Sequence, residues 1–184
     1  QMCIRDRRDA LLESVLPAAD DLRHLVAYLR SDSSLRLAGP RQLFMSQQAM
    51  QFGNRPWLEK LCTQLGVPLH EDWGFFAGSM FWFRPRALAD VASLANTLTF
   101  EPESGAQDGQ LAHALERLVG GVTVPQADRV VLLGHDASGR FDMQRWQQGM
   151  PLETTMPSRL LAAAPAAVKV PATVSETAPA TVSA

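Results

Sequence analysis

Lysine is almost absent from this sequence, with Lys60 and Lys169 the only two among 184 residues. No run of lysine and arginine stands out, and the formal net charge is -2 with a sequence pI near 6.1. A nucleic-acid-binding domain usually carries a basic patch and a pI above about 9. The charge pattern therefore gives no reason to expect a nucleic acid partner.

Cysteine and long apolar runs are also scarce. Cys3 and Cys62 stand far apart, which gives neither a disulfide framework nor the spacing of a zinc site and favours a reducing compartment. No stretch reaches the roughly 18 apolar residues of a membrane-spanning helix, and the amino terminus has no apolar signal core. We therefore predict a cytoplasmic location, with peripheral contact at the inner face of the membrane left open.

Several catalytic motifs are missing as well. The sequence has no Asp-x-Asp after an apolar strand, no Walker loop, no GxGxxG, no GxSxG nucleophile elbow and no HExxH. The missing elbow disfavours a hydrolase, and the missing Asp-x-Asp leaves no recognisable metal site for a nucleotide sugar. We therefore identify no metal ligand and no cofactor in this chain.

Two segments between Trp73 and Arg117 are the most informative part of the sequence. The first, WGFFAGSMFWFRP, is an apolar and aromatic run that is broken by Gly78 and Ser79 and stopped by Pro85. A short run of this kind predicts a strand buried on both faces in the middle of an α/β sheet. A glycine inside such a strand indicates close approach of another backbone or of a ligand.

The second segment, FEPESGAQDGQLAHALER, places acidic residues in a loop that leads into a helix. Asp108 is predicted to cap this helix, and Gly120 and Gly121 are predicted to end it. One face of the helix is apolar, and the opposite side carries His113, Glu116 and Arg117. Carboxylates on a loop beside a buried strand are typical of the active sites of α/β enzymes.

The remaining periodicity predicts helices alternating with short strands. Apolar spacing predicts helices over 8–16 and 22–29, a helix from Pro56 to Gly66, and another that Pro85 opens. Strands are predicted at 35–37 and 129–133, and HDASGR is predicted to form a turn. The polar, glutamine-rich residues 41–55 are interpreted as a surface loop with a turn of helix. The predicted fold is α/β, with a sheet flanked by helices.

The two ends of the chain differ in composition from the rest. Residues 1–6 (QMCIRD) fit no period and resemble translated library adapter, so we interpret them as a non-native leader on a truncated fragment. From about residue 150 the chain is rich in Ala, Pro, Thr, Val and Ser. Such a segment buries too little surface to offset its ordering entropy, which predicts a disordered tail over 150–184. The α/β domain is assigned to 7–149.

The two informative segments also resemble a known family. FFAGSMFWFRPRAL followed by FEPESGAQDGQLAHALERL is similar to the rhamnan synthesis protein F family of polysaccharide glycosyltransferases, and the likeness extends less sharply over 8–121. The resemblance implies a bacterial enzyme of cell-wall or lipopolysaccharide biosynthesis with a partial GT-A-like (Rossmann-like) sheet. It implies transfer of a sugar, with rhamnose as a candidate, from a nucleotide sugar to a glycan acceptor.

The resemblance also suggests roles for individual residues. Inverting transfer needs a group that takes the acceptor proton, and Asp108 in the matching segment is the candidate base, although helix capping would explain it equally well. The candidate substrate-binding residues are Ser79, Trp82, Arg84, Glu101, Glu103, His113 and Arg117. Most of these residues also have a structural explanation. Trp82 would belong to the core, and Arg84 would cap a helix. Glu101 and Glu103 would be solvated loop acids, while His113 and Arg117 would belong to a polar helix face whose side chains pair with one another.

The amino-terminal half that binds the donor in such transferases is not recognised in this sequence. We therefore expect this chain alone to be inactive, with a divalent metal and nucleotide sugar bound only by the full-length protein. A second hypothesis is a non-catalytic glycan-binding or scaffold module that kept the sheet and lost the donor site. A nucleotide-binding strand set encoded upstream of residue 7 would favour the enzyme, and a natural start near residue 1 would favour the module.

Overall fold

The structure is a computed structural model that describes residues 12, 15–46, 53–70, 73–102, 109–123, 129–147 and 149–150. The predicted leader at 1–6 lies outside these residues, as does the predicted tail except for Met150. Most of the helix predicted over 8–16 lies outside them too.

Helices are interspersed with pairs of strands along the described parts of the chain. The helices are α1 (Ala19–Ser31), α2 (Arg55–Leu65), α3 (Ala89–Ser93) and α4 (Leu111–Thr123). The strands are β1 (Leu37–Pro40), β2 (Phe44–Ser46), β3 (Gly74–Phe76), β4 (Trp82–Phe83), β5 (Val130–His135) and β6 (Phe141–Arg145). Short 3₁₀ helices occupy Arg41–Leu43, Pro85–Ala87 and Ala95–Thr97.

A mixed sheet with the strand order β4-β1-β5-β6 forms the centre of the fold. β1 and β5 run parallel in its middle, and β4 and β6 pair with them antiparallel at the two edges. β2 and β3 form a separate antiparallel pair. Parallel strands need a crossover connection, and here residues 41–129 supply it, so the motif segments lie within the crossover.

The central strands are buried on both faces, because successive side chains alternate between two apolar clusters. Leu37, Val130 and Leu132 pack with α2, α4 and the β2–β3 pair in the larger cluster. Ala38 and Val131 pack with Leu25 of α1 in the smaller cluster. The described domain therefore has three layers, with α1 on one side of the sheet and α2, α4 and the second sheet on the other.

The predicted α/β class, with a sheet flanked by helices, is confirmed. The helix predicted over 22–29 corresponds to α1, and the strand predicted at 129–133 corresponds to β5. The helix predicted from Pro56 corresponds to α2, which ends at Gly66 with a φ of 66° in the left-handed region where glycine is favoured. GT-A-likeness remains a prediction.

The first motif segment is not one central strand, so that prediction is wrong. β3 and β4 belong to different sheets, and β4 lies at a sheet edge. A turn separates them, closed by the Ser79 N–H donating to the Phe76 carbonyl at 3.3 Å. Gly78 and Ser79 have φ values of 82° and 55°, which a strand does not allow. Gly78 therefore permits a turn in an exposed loop, and the predicted close approach inside a buried strand is wrong.

The glycines of α4 do not end the helix, which continues to Thr123. A Cβ placed on Gly120 would lie 2.2 Å from the Gly74 carbonyl oxygen, and one on Gly121 would lie 3.1 Å from the Trp73 ring. Gly120 instead allows α4 to pack directly on β3, and Gly121 allows it to pack on the ring of Trp73, the residue before β3. The sequence alone did not reveal this, since paired glycines are more typical of a helix end.

Two other predicted elements also differ. Pro85 opens a 3₁₀ helix, and the short α3 helix follows it instead of one continuous helix. Residues 41–46 are not a surface loop, because Leu43, Phe44 and Met45 are buried in the core. β2 forms there because its backbone pairs with β3, a partner distant in the sequence.

Candidate functional site

A carboxylate of α4 joins the two motif segments. The Gly78 N–H donates to Glu116 Oε1 at 2.6 Å, and the Ser79 hydroxyl donates to the same oxygen at 3.3 Å. The positive φ of Gly78 and Ser79 folds the turn so that both groups reach one acceptor. We call Gly78, Ser79 and Glu116 the motif junction.

The amino end of α4 is held by a second acidic residue. The Leu111 N–H donates to Glu101 Oε2 at 3.3 Å. The first N–H groups of a helix have no partner within the helix, and a negative charge is stabilising there. Glu101 is exposed, so its carboxylate lies at the surface beside the start of α4.

A buried asparagine connects the amino ends of α2 and α4. Asn54 directly precedes α2, is fully buried and accepts a hydrogen bond from the Gly109 N–H at 3.1 Å. A Cβ on Gly53 would lie 2.6 Å from the Gly109 Cα, so the two backbones touch. The position directly after Asp108 is therefore fixed against α2.

Arg117 is buried, although it was predicted to lie on the polar side of the helix. Its guanidinium lies 4.7 Å from the centre of the Phe75 ring, and its Nη1 donates to the His113 carbonyl at 3.0 Å. The side chain is 4% exposed. A guanidinium stacked on an aromatic face is stabilised by the negative charge of the ring face.

His113 lies one turn before Arg117 and is partly exposed. Its Nδ1 accepts a long hydrogen bond of 3.4 Å from the Gln110 N–H. Four of the predicted substrate-binding residues, Ser79, Glu101, His113 and Arg117, therefore lie on or beside α4.

Trp82 and Arg84 lie elsewhere, facing α1. The Trp82 ring packs in the smaller cluster, and its Nε1 donates to the Val15 carbonyl at 2.7 Å. Arg84 donates to the Leu35 carbonyl before β1 at 2.9 Å. It also donates to the carbonyls of Leu29 and Asp32 at the carboxyl end of α1, with 3.1 Å to Asp32. This guanidinium therefore stabilises a helix end, where cations are favoured.

Asp108 and Glu103 lie outside the described residues, so their positions stay predictions. Within the described ranges, no three His, Cys, Asp or Glu side chains are grouped as a metal site requires. None of the described helices combines the length and apolar character that a bilayer crossing needs.

Sequence reasoning missed two residues that organise this region. Asn54 was treated as part of a surface loop, and no local signal distinguishes a buried asparagine from a solvated one. Glu116 was placed on a polar face without a specific role. Glu116 follows His113 by three residues, and this spacing correctly indicated that they share a side of the helix. The turn to which Glu116 bonds contains Ser79, which is 37 residues away in sequence.

Comparison with known proteins finds a limited match. Two proteins named "Uncharacterized protein WxcX", from two strains of Xanthomonas campestris pv. campestris, are each 33% identical to this chain over 108 residues. The match covers 58% of this chain, which spans only 16% of the length of these relatives. No protein-family model and no solved structure matches the chain.

Proposed function

We propose that this chain is the acceptor-side part of a GT-A-like glycosyltransferase of the rhamnan synthesis F type. It would transfer a sugar, with rhamnose as a candidate, from a nucleotide donor to a cell-surface polysaccharide. The motif junction supports this most directly, because Glu116 bonds to the Gly78–Ser79 turn and so connects the two segments that carry the resemblance.

The proposal assigns the acceptor to the surface around the motif junction and the start of α4. Ser79 presents a hydroxyl and Glu101 a carboxylate, and both side chains are exposed and suited to sugar hydroxyls. His113 lies on α4 itself, and its ring carries one donor and one acceptor nitrogen when it is neutral. Arg117 is buried below this surface and would hold α4 in place by its contact with the Phe75 ring.

Asp108 is the proposed general base. It is next in sequence to Gly109, which Asn54 holds, so the backbone beside the carboxylate has a fixed partner. An anchored base loses less entropy when it takes the acceptor proton. The diphosphate of the donor, and any divalent metal that accompanies it, are proposed to bind in another part of the full-length protein.

A transfer assay tests the proposal with the full-length protein that carries this chain. It would be incubated with dTDP-rhamnose or GDP-rhamnose and a rhamnose oligosaccharide, and mass spectrometry would detect the addition of one deoxyhexose. Asp108→Asn should reduce turnover by about 10²–10⁴-fold, as loss of a general base does. The melting temperature should stay close to that of the wild type.

Asp20→Asn is the matched control, since Asp20 forms an exposed ion pair with Arg23 on α1. It should leave transfer unchanged. Equal turnover in the Asp108→Asn and Asp20→Asn variants would remove Asp108 from the role of base. Binding of the oligosaccharide with no transfer from either donor would favour the non-catalytic glycan-binding module.

A further inference from the structure

Three arginines stand side by side at the amino end of β1 and β5. The Arg36 N–H donates to the Arg129 carbonyl at 2.7 Å, and the Arg84 N–H donates to the Arg36 carbonyl at 3.0 Å. The pairing of β4, β1 and β5 thus extends by one residue beyond the strands. Arg86 follows two residues after Arg84, in the 3₁₀ helix Pro85–Ala87.

Strand alternation places the three arginines on the α1 side of the sheet. Arg36 and Arg129 precede Ala38 and Val131 by two residues, and both of these face the smaller cluster. Arg84 contacts the end of α1 directly. We call Arg36, Arg84, Arg86 and Arg129 the arginine row.

Most of the charge in the arginine row is not neutralised by nearby acids. Arg84 is engaged by main-chain carbonyls, and within the described part of the chain no ion pair involves Arg36, Arg86 or Arg129. Asp90 of α3 is the acidic residue whose charge acts on Arg36. The nearby Asp32 carboxylate is already bound by Ser34 and Arg145.

Arg36 has an arginine beside it on each neighbouring strand, because its main chain bonds to Arg129 on one side and to Arg84 on the other. Partial burial, followed by the positive charges of Arg86, Arg129 and Arg84, lowers the pKa of Arg36. Like charges held together with too few counterions destabilise the folded state. A fold that keeps such a group therefore gains stability from an anion that binds there.

We propose that Arg36, Arg86 and Arg129 bind a phosphoryl group. Guanidinium groups donate paired hydrogen bonds in a planar fork that matches phosphate oxygens, and a phosphate dianion offsets more of their repulsion than a single carboxylate. The phosphoryl group would belong either to a free phosphate or diphosphate or to a phospholipid headgroup. This site does not include the motif junction, and it does not depend on the proposed transferase activity.

Two assays on the full chain distinguish these sources. In solution, the melting temperature and isothermal titration would be measured with sodium pyrophosphate, against sodium chloride at equal ionic strength. At a membrane surface, co-sedimentation would use vesicles of phosphatidylcholine with and without phosphatidylglycerol. The variant is Arg36→Gln/Arg129→Gln, and Arg23→Gln/Arg140→Gln is the control with the same net charge.

The wild type and the control should bind pyrophosphate or phosphatidylglycerol vesicles, and the Arg36→Gln/Arg129→Gln variant should bind at least tenfold more weakly. Without ligand this variant should melt no lower than the control, because repulsion is removed. Binding of pyrophosphate would indicate a soluble phosphate ligand. Binding to phosphatidylglycerol vesicles by a protein that does not bind pyrophosphate would indicate a phospholipid headgroup. Equal binding by variant and control, or no binding beyond chloride and phosphatidylcholine, would overturn the proposal.

Discussion

At the scale of single residues, Glu116 and Arg117 show how neighbours on one helix acquire different roles. Glu116 reaches the turn after β3, and Arg117 is covered by the Phe75 ring of β3 itself. A helical wheel places both on the side opposite the apolar face and does not distinguish their surroundings. A buried charge is tolerated here because an aromatic face and a carbonyl oxygen surround the guanidinium.

Asp32 provides a test of local electrostatics at the same scale. Hydrogen bonds from the Ser34 hydroxyl, then from the Ser34 N–H and Arg145, lower the pKa of Asp32 from 3.8 to about 2. Because the folded pKa is below the unfolded one, this stabilisation is complete above about pH 4 and is lost as the pH falls towards 2. Ser34→Ala should raise the pKa of Asp32 towards 3.8, as measured by carboxyl NMR titration.

Asp136 supplies the matched control for that titration. It accepts hydrogen bonds from the Ser138 hydroxyl and N–H, which lower its pKa in the same way. Ser138→Ala should raise the pKa of Asp136 and leave that of Asp32 unchanged. A wild-type Asp32 that titrates near 3.8 would contradict the described geometry.

At the scale of elements, α4 is packed on two sides. Its leucine face packs in the larger cluster, Arg117 and Gly120 cover β3, and Gly121 packs on the Trp73 ring just before β3. Close helix–strand contact needs a residue without a side chain, which explains glycine within a helix where it costs about 1 kcal/mol relative to alanine. The position of the motif junction depends on this contact, since α4 carries Glu116.

Gly120→Ala should therefore destabilise the protein. The new Cβ would lie 2.2 Å from the Gly74 carbonyl oxygen, and the backbone there cannot move without disturbing β3. We expect a loss of about 1–3 kcal/mol in the free energy of unfolding, typical of overpacking, despite the better helix propensity of alanine. Urea denaturation would measure it.

Gly121→Ala is the control on the same helix. Its Cβ would lie 3.1 Å from the Trp73 ring, a side chain that can shift slightly, so the loss should be smaller. If Gly120→Ala were as stable as the wild type, α4 would not pack on β3 as described.

At the scale of the whole molecule, the central sheet separates two apolar clusters. Leu25 of α1 lies in one cluster and Leu118 of α4 in the other, and both are fully buried. The two clusters have no buried residue in common. Side chains that share no partner contribute independently to stability.

Leu25→Val and Leu118→Val should consequently have additive effects. Each removes about one CH₂ from a buried position and adds a small helix penalty, for a cost of about 1 kcal/mol. The double variant should equal the sum within about 0.5 kcal/mol when measured by urea denaturation. A larger coupling would mean that the two clusters form one packed core.

The sequence by itself determined the α/β class, the bounds of α1 and α2 to within a few residues, the β5 strand and the turn after it. These features depend on local patterns, because apolar periodicity and residues such as Pro56 and Gly66 act over a few positions. The same patterns marked α4 and the first motif segment as informative.

Only the tertiary structure decided how these pieces meet. It divided the aromatic segment between two sheets, buried residues 43–45, kept Gly120 and Gly121 inside a helix, and separated Trp82 and Arg84 from the predicted residues beside α4. Each outcome depends on a partner distant in sequence, such as Phe75 for Arg117 and the Gly78–Ser79 turn for Glu116. Burial and hydrogen bonding between distant segments override local propensity, and no local pattern records them.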